Sequence, residues 1–178
     1  MINFSIDNLT ISVFVGQTPD MLDYYRKNAV FVDYKDLKND GTDVYFIISK
    51  DFLKPEFAIV AFKTDPVGYA GFEPGIHYEK STQTLFMGAG TIIKTLRLTD
   101  YKIMFEKNSG MGFWGWAKHN DLILQQEEID FGVFSITGEQ LWETCVSPPY
   151  DFEIKEDTII LKFDNMMETK RLLTGEKV

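Results

Sequence analysis

Nucleophiles and metal ligands are scarce in this 178-residue chain, while carboxylates are plentiful. Cys145 is the only cysteine, and His77 and His119 are the only histidines. A catalytic thiol needs a neighbour that lowers its pKa. Cys145 instead ends the run Leu141-Trp142-Glu143-Thr144-Cys145, which reads as a strand beside the Ser147-Pro148-Pro149 turn. A free cysteine there acts as a small apolar side chain. Neither histidine has a second His or Cys within four residues, although Glu79 and Asp121 are near. A zinc site needs three or four ligands in fixed geometry. Both histidines are therefore read as loop or strand residues, and no metal, cofactor or catalytic residue is assigned.

Two glycine pairs, Gly88-Ala89-Gly90 and Gly110-Met111-Gly112, raise the question of phosphate binding. A phosphate loop wants a helix after it and usually a lysine. Strand-like Thr91-Ile92-Ile93 and Phe113-Trp114 follow instead, so bends or bulges are expected. The run from Met111 to His119 is the most distinctive in the chain. In extended backbone Trp114 and Trp116 share one face and Phe113 takes the other. Phe113, Trp114, Trp116 and His119 are the candidate ligand-binding residues, a platform for a sugar, a base or a partner side chain. The plainer reading of the same aromatics is core.

The acids are unevenly spread. Between His119 and Asp157 stand ten acidic residues and one base, Lys155, so this stretch carries the whole net charge of −9. The remainder has 17 basic and 17 acidic residues. Consecutive hairpins neighbour one another, so Glu127, Glu128, Asp130, Glu139 and Glu143 are expected on one exposed surface. These five are the candidate partner-binding residues. A solvated face would look the same, but like charge repels itself, which invites a basic partner. Strand alternation places Asp130 opposite Ile129, Phe131 and Val133. Glu139 and Glu143 fall on the face of Leu141, which requires a bulge, an exposed Leu141, or an inward Trp142. A hydrolase reading would use the same carboxylates, yet a glycosidase pair must flank a sugar ring, and spacing in sequence does not set that distance.

The elements that must position these residues are mostly strands. Aromatic residues make up 15% of the chain, and they suit pleated surfaces. A helix of about ten residues is expected from Thr18 as N-cap, Pro19 at the first position and Asp20 in the first turn, with Arg26, Lys27 and Asn28 closing it. Ala29 to Tyr34, Val44 to Ser49 and Phe57 to Lys63 read as strands, with turn signals at Asn39-Asp40-Gly41, Pro66-Val67-Gly68 and Glu73-Pro74-Gly75. From Gly75 a meander of short strands follows to Phe163. The fold class is mainly β, an antiparallel meander forming a sandwich or partly closed barrel with one short N-terminal helix. An α+β arrangement is the alternative if Asp51 to Phe57 or Asn165 to Leu173 is helical. The turn Thr137-Gly138-Glu139 leading to Leu141-Trp142 resembles a half-blade of quinoprotein-type β-propellers. That architecture needs several four-stranded blades, and the sequence has no internal repeat, so the turn is read as hairpin chemistry.

Length and composition suit one domain over residues 1–178. The acidic balance speaks against nucleic acid and anionic membrane surfaces. No signal peptide or apolar span of membrane length is seen, and with no possible intrachain disulfide the protein is placed in the cytoplasm. Three functions are consistent with these features. First is a non-catalytic protein-binding module with an acidic surface for a basic partner, concretely an immunity-type inhibitor of a toxin. Second is a small-ligand-binding β domain built on Phe113 to Trp116. Third is a carboxylate-dependent hydrolase.

Overall fold

Alternating apolar residues and tight turns dictate strands almost throughout. The computed structural model describes residues 1–34, 41–50, 56–64, 73–109 and 111–178. They contain sixteen strands and one helix. Residues 1–178, read as one domain, group into two compact units, Met1–Pro74 and Gly75–Val178.

The first unit is a five-stranded sheet in the order β1-β2-β4-β5-β3. β1 (Ile2–Ile6) and β2 (Leu9–Val15) form a hairpin through a turn with Asp7 at φ 54. β4 (Thr42–Lys50) and β5 (Glu56–Thr64) pair antiparallel, and β3 (Ala29–Tyr34) adds parallel to β5. That parallel pair departs from the all-antiparallel expectation. A parallel neighbour needs a crossover. The helix α1 (Leu22–Asn28) immediately precedes β3 and packs Leu22 and Tyr25 with Phe57. The helix is shorter than expected. It begins after Met21 with no side-chain cap, and Thr18 and Pro19 belong to the lead-in, where Pro19 accepts a bond from the Leu22 amide. Its C-terminus follows expectation, since Asn28 bonds back to the Tyr24 carbonyl. Of the turn signals, Asn39, Asp40 and Pro66-Val67-Gly68 lie outside the described residues, as do residues 51–55 of the alternative helix.

In the second unit every sheet keeps chain order. The second sheet is β6 (Gly75–Glu79), β7 (Thr84–Ala89), β8 (Ile92–Arg97) and β9 (Lys102–Asn108). The third is β10 (Phe113–His119), β11 (Leu122–Glu127), β12 (Asp130–Ser135) and β13 (Gln140–Cys145). The fourth is β14 (Tyr150–Lys155), β15 (Thr158–Phe163) and β16 (Met166–Arg171). β16 is a strand where the alternative reading had a helix from Asn165 to Leu173. No sheet closes into a barrel among the described residues. The four-stranded meander occurs twice running without a sequence repeat. Thr137-Gly138-Glu139 is the β12–β13 turn, as read.

Alternation on the third sheet builds two cores. Ile123 and Phe134 face the second sheet and meet Phe86 and Phe105. Leu122, Leu124, Phe131 and Val133 face the fourth and meet Ile159 and Leu161. The third sheet is thus covered on both faces, which is why its central strands β11 and β12 are buried almost from end to end.

Candidate functional site

The up-and-down course of these strands gives the second unit two ends. At one, the β9–β10 crossing and the β11–β12 turn come together. At the other, the hairpin turns β10–β11, β12–β13 and β14–β15 come together with the segment after β16.

The crossing end holds a cluster of charge. Glu127, Asp130 and Glu143 are the one group of three His, Cys, Asp or Glu side chains among the described residues close enough to share a cation. The cation they share is the ammonium of Lys107, which reaches from β9 to Glu127 at 3.5 Å, to Asp130 at 3.0 Å, and to Glu143. Glu127 is 0% exposed. The Ser109 hydroxyl donates to its Oε2 and the Gln125 amide to its Oε1. Burial pushes the Glu127 carboxyl up to about 7; the Ser109 bond and Lys107 oppose this, while Asp130 and Glu143 add to it. Burial would lower the pKa of Lys107, but the Glu143 bond and the surrounding carboxylates raise it to about 12. The Tyr150 hydroxyl donates to the Glu127 main-chain oxygen at 2.9 Å, and burial raises its pKa.

This placement corrects the expectation of one exposed acidic surface. Glu127 lies in the core because Gln125, Glu127, Gly132 and Asp130 share the face turned to the second sheet. Three of the five acids converge on one lysine. Glu139 is exposed in the β12–β13 turn, at the opposite end, and Glu128 is half-buried. The weak point foreseen at Leu141 resolves by all three routes together. The β12–β13 register slips between Val133 and Phe134, so that Phe134 pairs Gln140 and Val133 pairs Trp142. Leu141 is the extra residue and is 41% exposed. Trp142 turns inward and donates its indole N–H to the Leu172 carbonyl at 2.8 Å.

A second bulge rearranges the aromatic run. Phe113 pairs Glu127 while Gly115 pairs Gln126, leaving Trp114 as the additional residue. An extra residue reverses the alternation. Phe113 and Trp116 therefore share a face, with ring centroids 5.3 Å apart, and Trp114 points the other way, stacking on Tyr150 at 5.1 Å. The expected pairing of Trp114 with Trp116 is overturned. Phe113 is 1% exposed and fills the space over two glycines. A Cβ on Gly75 or Gly88 would lie 2.8 or 2.5 Å from its ring. Trp116 packs on Phe86 and Phe134. These two rings are core, the plainer of the readings. Cys145 is exposed, not buried, and its hydrogen bond with Asp130 raises the thiol pKa. That shift leaves it protonated at neutral pH, so it is no activated nucleophile.

The hairpin-turn end carries a groove of about 590 Å³, a size usual for ligand sites. Leu122, Leu141, Leu172 and Leu173 line it, with Leu173 65% exposed. Asp121, Glu156 and Asp157 stand at its rim with Arg171, which bonds Asp157 at 3.0 Å. His119 also lines it, so this candidate ligand residue lies apart from Phe113 and Trp116. The groove residues from β16 onward escaped the sequence reading because 166–174 carries no periodic signal. Lys107 escaped too; its place at the end of β9, beside the first residues of the crossing, was the available clue.

No family model and no curated protein matches the chain. Among solved structures, BamB from Moraxella catarrhalis is similar at 14% identity and a TM-score of 0.44, over 76% of this chain and 44% of that one. The computationally designed Ika8 protein is similar at 10% identity and a TM-score of 0.47, over 99% of this chain and 59% of that one. The designed Ika4 protein is similar at 13% identity and a TM-score of 0.39, over 58% and 68%. The chain thus spans about half the length of the first two.

Proposed function

We propose that this chain is a non-catalytic protein-binding module of the cytoplasm, and that the groove at the hairpin-turn end receives a basic segment of its partner. The observation that carries this reading is the pairing of exposed leucines with an excess of acids over bases in one concavity. Leu141 and Leu173 offer apolar surface of the kind that marks interaction sites. Asp121, Glu156 and Asp157 outnumber Arg171 at the rim. A side chain with an apolar stem and a cationic head, lysine or arginine, fits both features. Acids at a rim steer encounter through screened charge more than they hold the complex.

The test uses short acetylated and amidated peptides of Leu and Arg, with Leu and Glu peptides of equal length as controls, followed by methyl NMR. The arginine peptides should shift the methyls of Leu141, Leu172 and Leu173, and the shifts should weaken in high salt. The double variant Glu156→Lys and Asp121→Lys should remove them. Equal shifts with the glutamate peptides, or none with either, would overturn the reading.

A further inference from the structure

We infer that β1 is the seam of a two-fold dimer, in which its open edge pairs antiparallel with the same edge of a second copy, centred on Phe4. β1 is the outermost strand of the first sheet, and among the described residues it pairs with β2 alone. It meets β2 through the turn Asp7-Asn8, with Ile6 opposite Leu9. A two-residue turn closes on a hydrogen-bonded pair, and such pairs alternate along an antiparallel ladder. Ile6, Phe4 and Ile2 therefore direct their backbone groups to β2. Asn3 and Ser5 direct theirs outward.

The two edges of this sheet differ. β3, at the other edge, is blunted: its register slips between Ala29 and Phe31, and Asp33 puts a charge on the strand. Bulges and charges are the usual protection of an exposed edge. β1 has neither. Its register with β2 is unbroken from Ile2 to Ile6, and the run Ile-Asn-Phe-Ser-Ile contains no charge and no proline. Ile2 and Ile6 are 37% and 38% exposed, although Val13 and Leu9, their partners on β2, are buried.

The order of residues names the occupant. Ile2, Phe4 and Ile6 stand on one face, and this row reads the same in both directions. A two-fold axis through Phe4 sets Ile2 against Ile6 of the second copy, and the two Phe4 rings against each other. Asn3 then faces Ser5 of the second copy, and Ser5 faces its Asn3, each pair exchanging both of its N–H···O bonds. Apolar side chains meet apolar ones, amide meets hydroxyl, and no like charges are opposed on the strand. A slip of one residue would set Phe4 against Asn3 or Ser5 and turn the apolar row to the opposite face. The same symmetry closes the assembly at two copies, because each edge is then paired. A seam this short makes a weak dimer.

Sedimentation velocity of the full chain, from about 1 to 500 μM, should show monomer giving way to dimer. Ser5→Pro removes an N–H that points away from β2, so the hairpin keeps its ladder. That variant should unfold like the natural protein and stay monomeric at every concentration. Phe4→Cys in a Cys145→Ser background should form a disulfide-linked dimer on mild oxidation, since the axis brings this position against its own copy. Ile6→Cys in the same background should not, because the axis separates it from its copy by about 13 Å. Hydrogen exchange at the Asn3 and Ser5 amides of the natural protein gives a readout free of substitutions, and it should slow as the protein is concentrated. A monomer throughout, a dimer that persists in Ser5→Pro, or equal cross-linking at Ile6→Cys and Phe4→Cys would overturn the seam. If Ser5→Pro does not fold, the exchange decides: slowing at Asn3 and Ser5 supports the inference, and rates independent of concentration sink it.

Discussion

Two buried glutamates in the second unit each meet a lysine, and they end in opposite states. Glu79, on β6, is 6% exposed; it accepts from Lys118 at 2.5 Å and from the Ser81 hydroxyl at 2.6 Å. The Lys118 bond, then Ser81, holds its carboxyl down near 2. Glu127 also has a lysine and a serine, yet rises to about 7. Partner type does not separate them. Desolvation does so first, being the leading cause of the rise at Glu127 and ranking behind the Lys118 and Ser81 bonds at Glu79, and the number of carboxylates per ammonium adds to it. Among the described residues Lys118 has no other acid within ion-pair distance, so its charge goes to Glu79, whereas Lys107 is divided among three. Burial raises both acids, and an undivided ammonium is enough to reverse it. A salt bridge counted from distance alone would score the two sites alike.

Removing Lys107 should have the largest effect on this contrast. Lys107→Met leaves three clustered carboxylates with no cation. Breaking a buried pair by deleting one partner costs about 3 kcal/mol or more. The variant should lose about that much at pH 8 and recover part of it at pH 5, where Glu127 takes up its proton. Guanidinium unfolding at the two pH values measures this, and an equal loss at both would show that the carboxylates do not repel one another.

Next in size is the acid limb at Glu79. Its folded value near 2 lies under the ordinary 4.5, so the folded state keeps the charge that the unfolded chain gives up to a proton. Stability should fall by about 3 kcal/mol as the pH drops from about 4.5 to 2. Glu79→Gln should lack this loss. The slope is opposite to that of Glu127 and occupies a lower pH window, so one titration series separates the two sites. Glu143→Gln is a finer probe. It withdraws one competitor for Lys107, and the Glu127 midpoint should move down, by about one pH unit or less.

These contrasts also mark what a sequence can carry. The strands from Gly75 to Phe163 and the Thr137-Gly138-Glu139 turn follow from period-two alternation and turn chemistry, which are local. What failed is any inference that crosses a bulge or a sheet. Trp114 and Trp116 part company because one residue is inserted between Phe113 and Gly115, and nothing in Phe113-Trp114-Gly115-Trp116 announces the insertion beyond a glycine. Glu127 was placed outside with Asp130 because acids are usually solvated. Its burial depends on Ser109 and Lys107, some twenty residues earlier in the chain and on another sheet. The segment charge of −9 was real as arithmetic, but folding divided it between two ends and neutralised part at each.

The smallest effect tests the bulge at Leu141. In unbroken alternation Leu141 would face the same side as Glu139 and Glu143, with Trp142 on the other. The slip between Val133 and Phe134 makes Leu141 the unpaired residue, so its side chain leaves the sheet without exchanging places with Trp142. Leu141→Ser should then change stability by about 0.5 kcal/mol at most, as surface substitutions do. Trp142→Ala, one residue on, should cost about 3 kcal/mol. It opens a space beside Phe131 and Gly175, whose Cβ position lies 2.7 Å from the indole, and it strands the Leu172 carbonyl. The ratio between neighbours is the informative quantity, since both variants share one strand and one unfolded chain. Comparable losses at the two positions would mean that Leu141 packs in the native state, and the groove at the hairpin-turn end would lose one of its exposed apolar contacts. A small loss at Leu141 that accompanies a failure to bind arginine peptides would instead fix that residue as a contact made only with the partner.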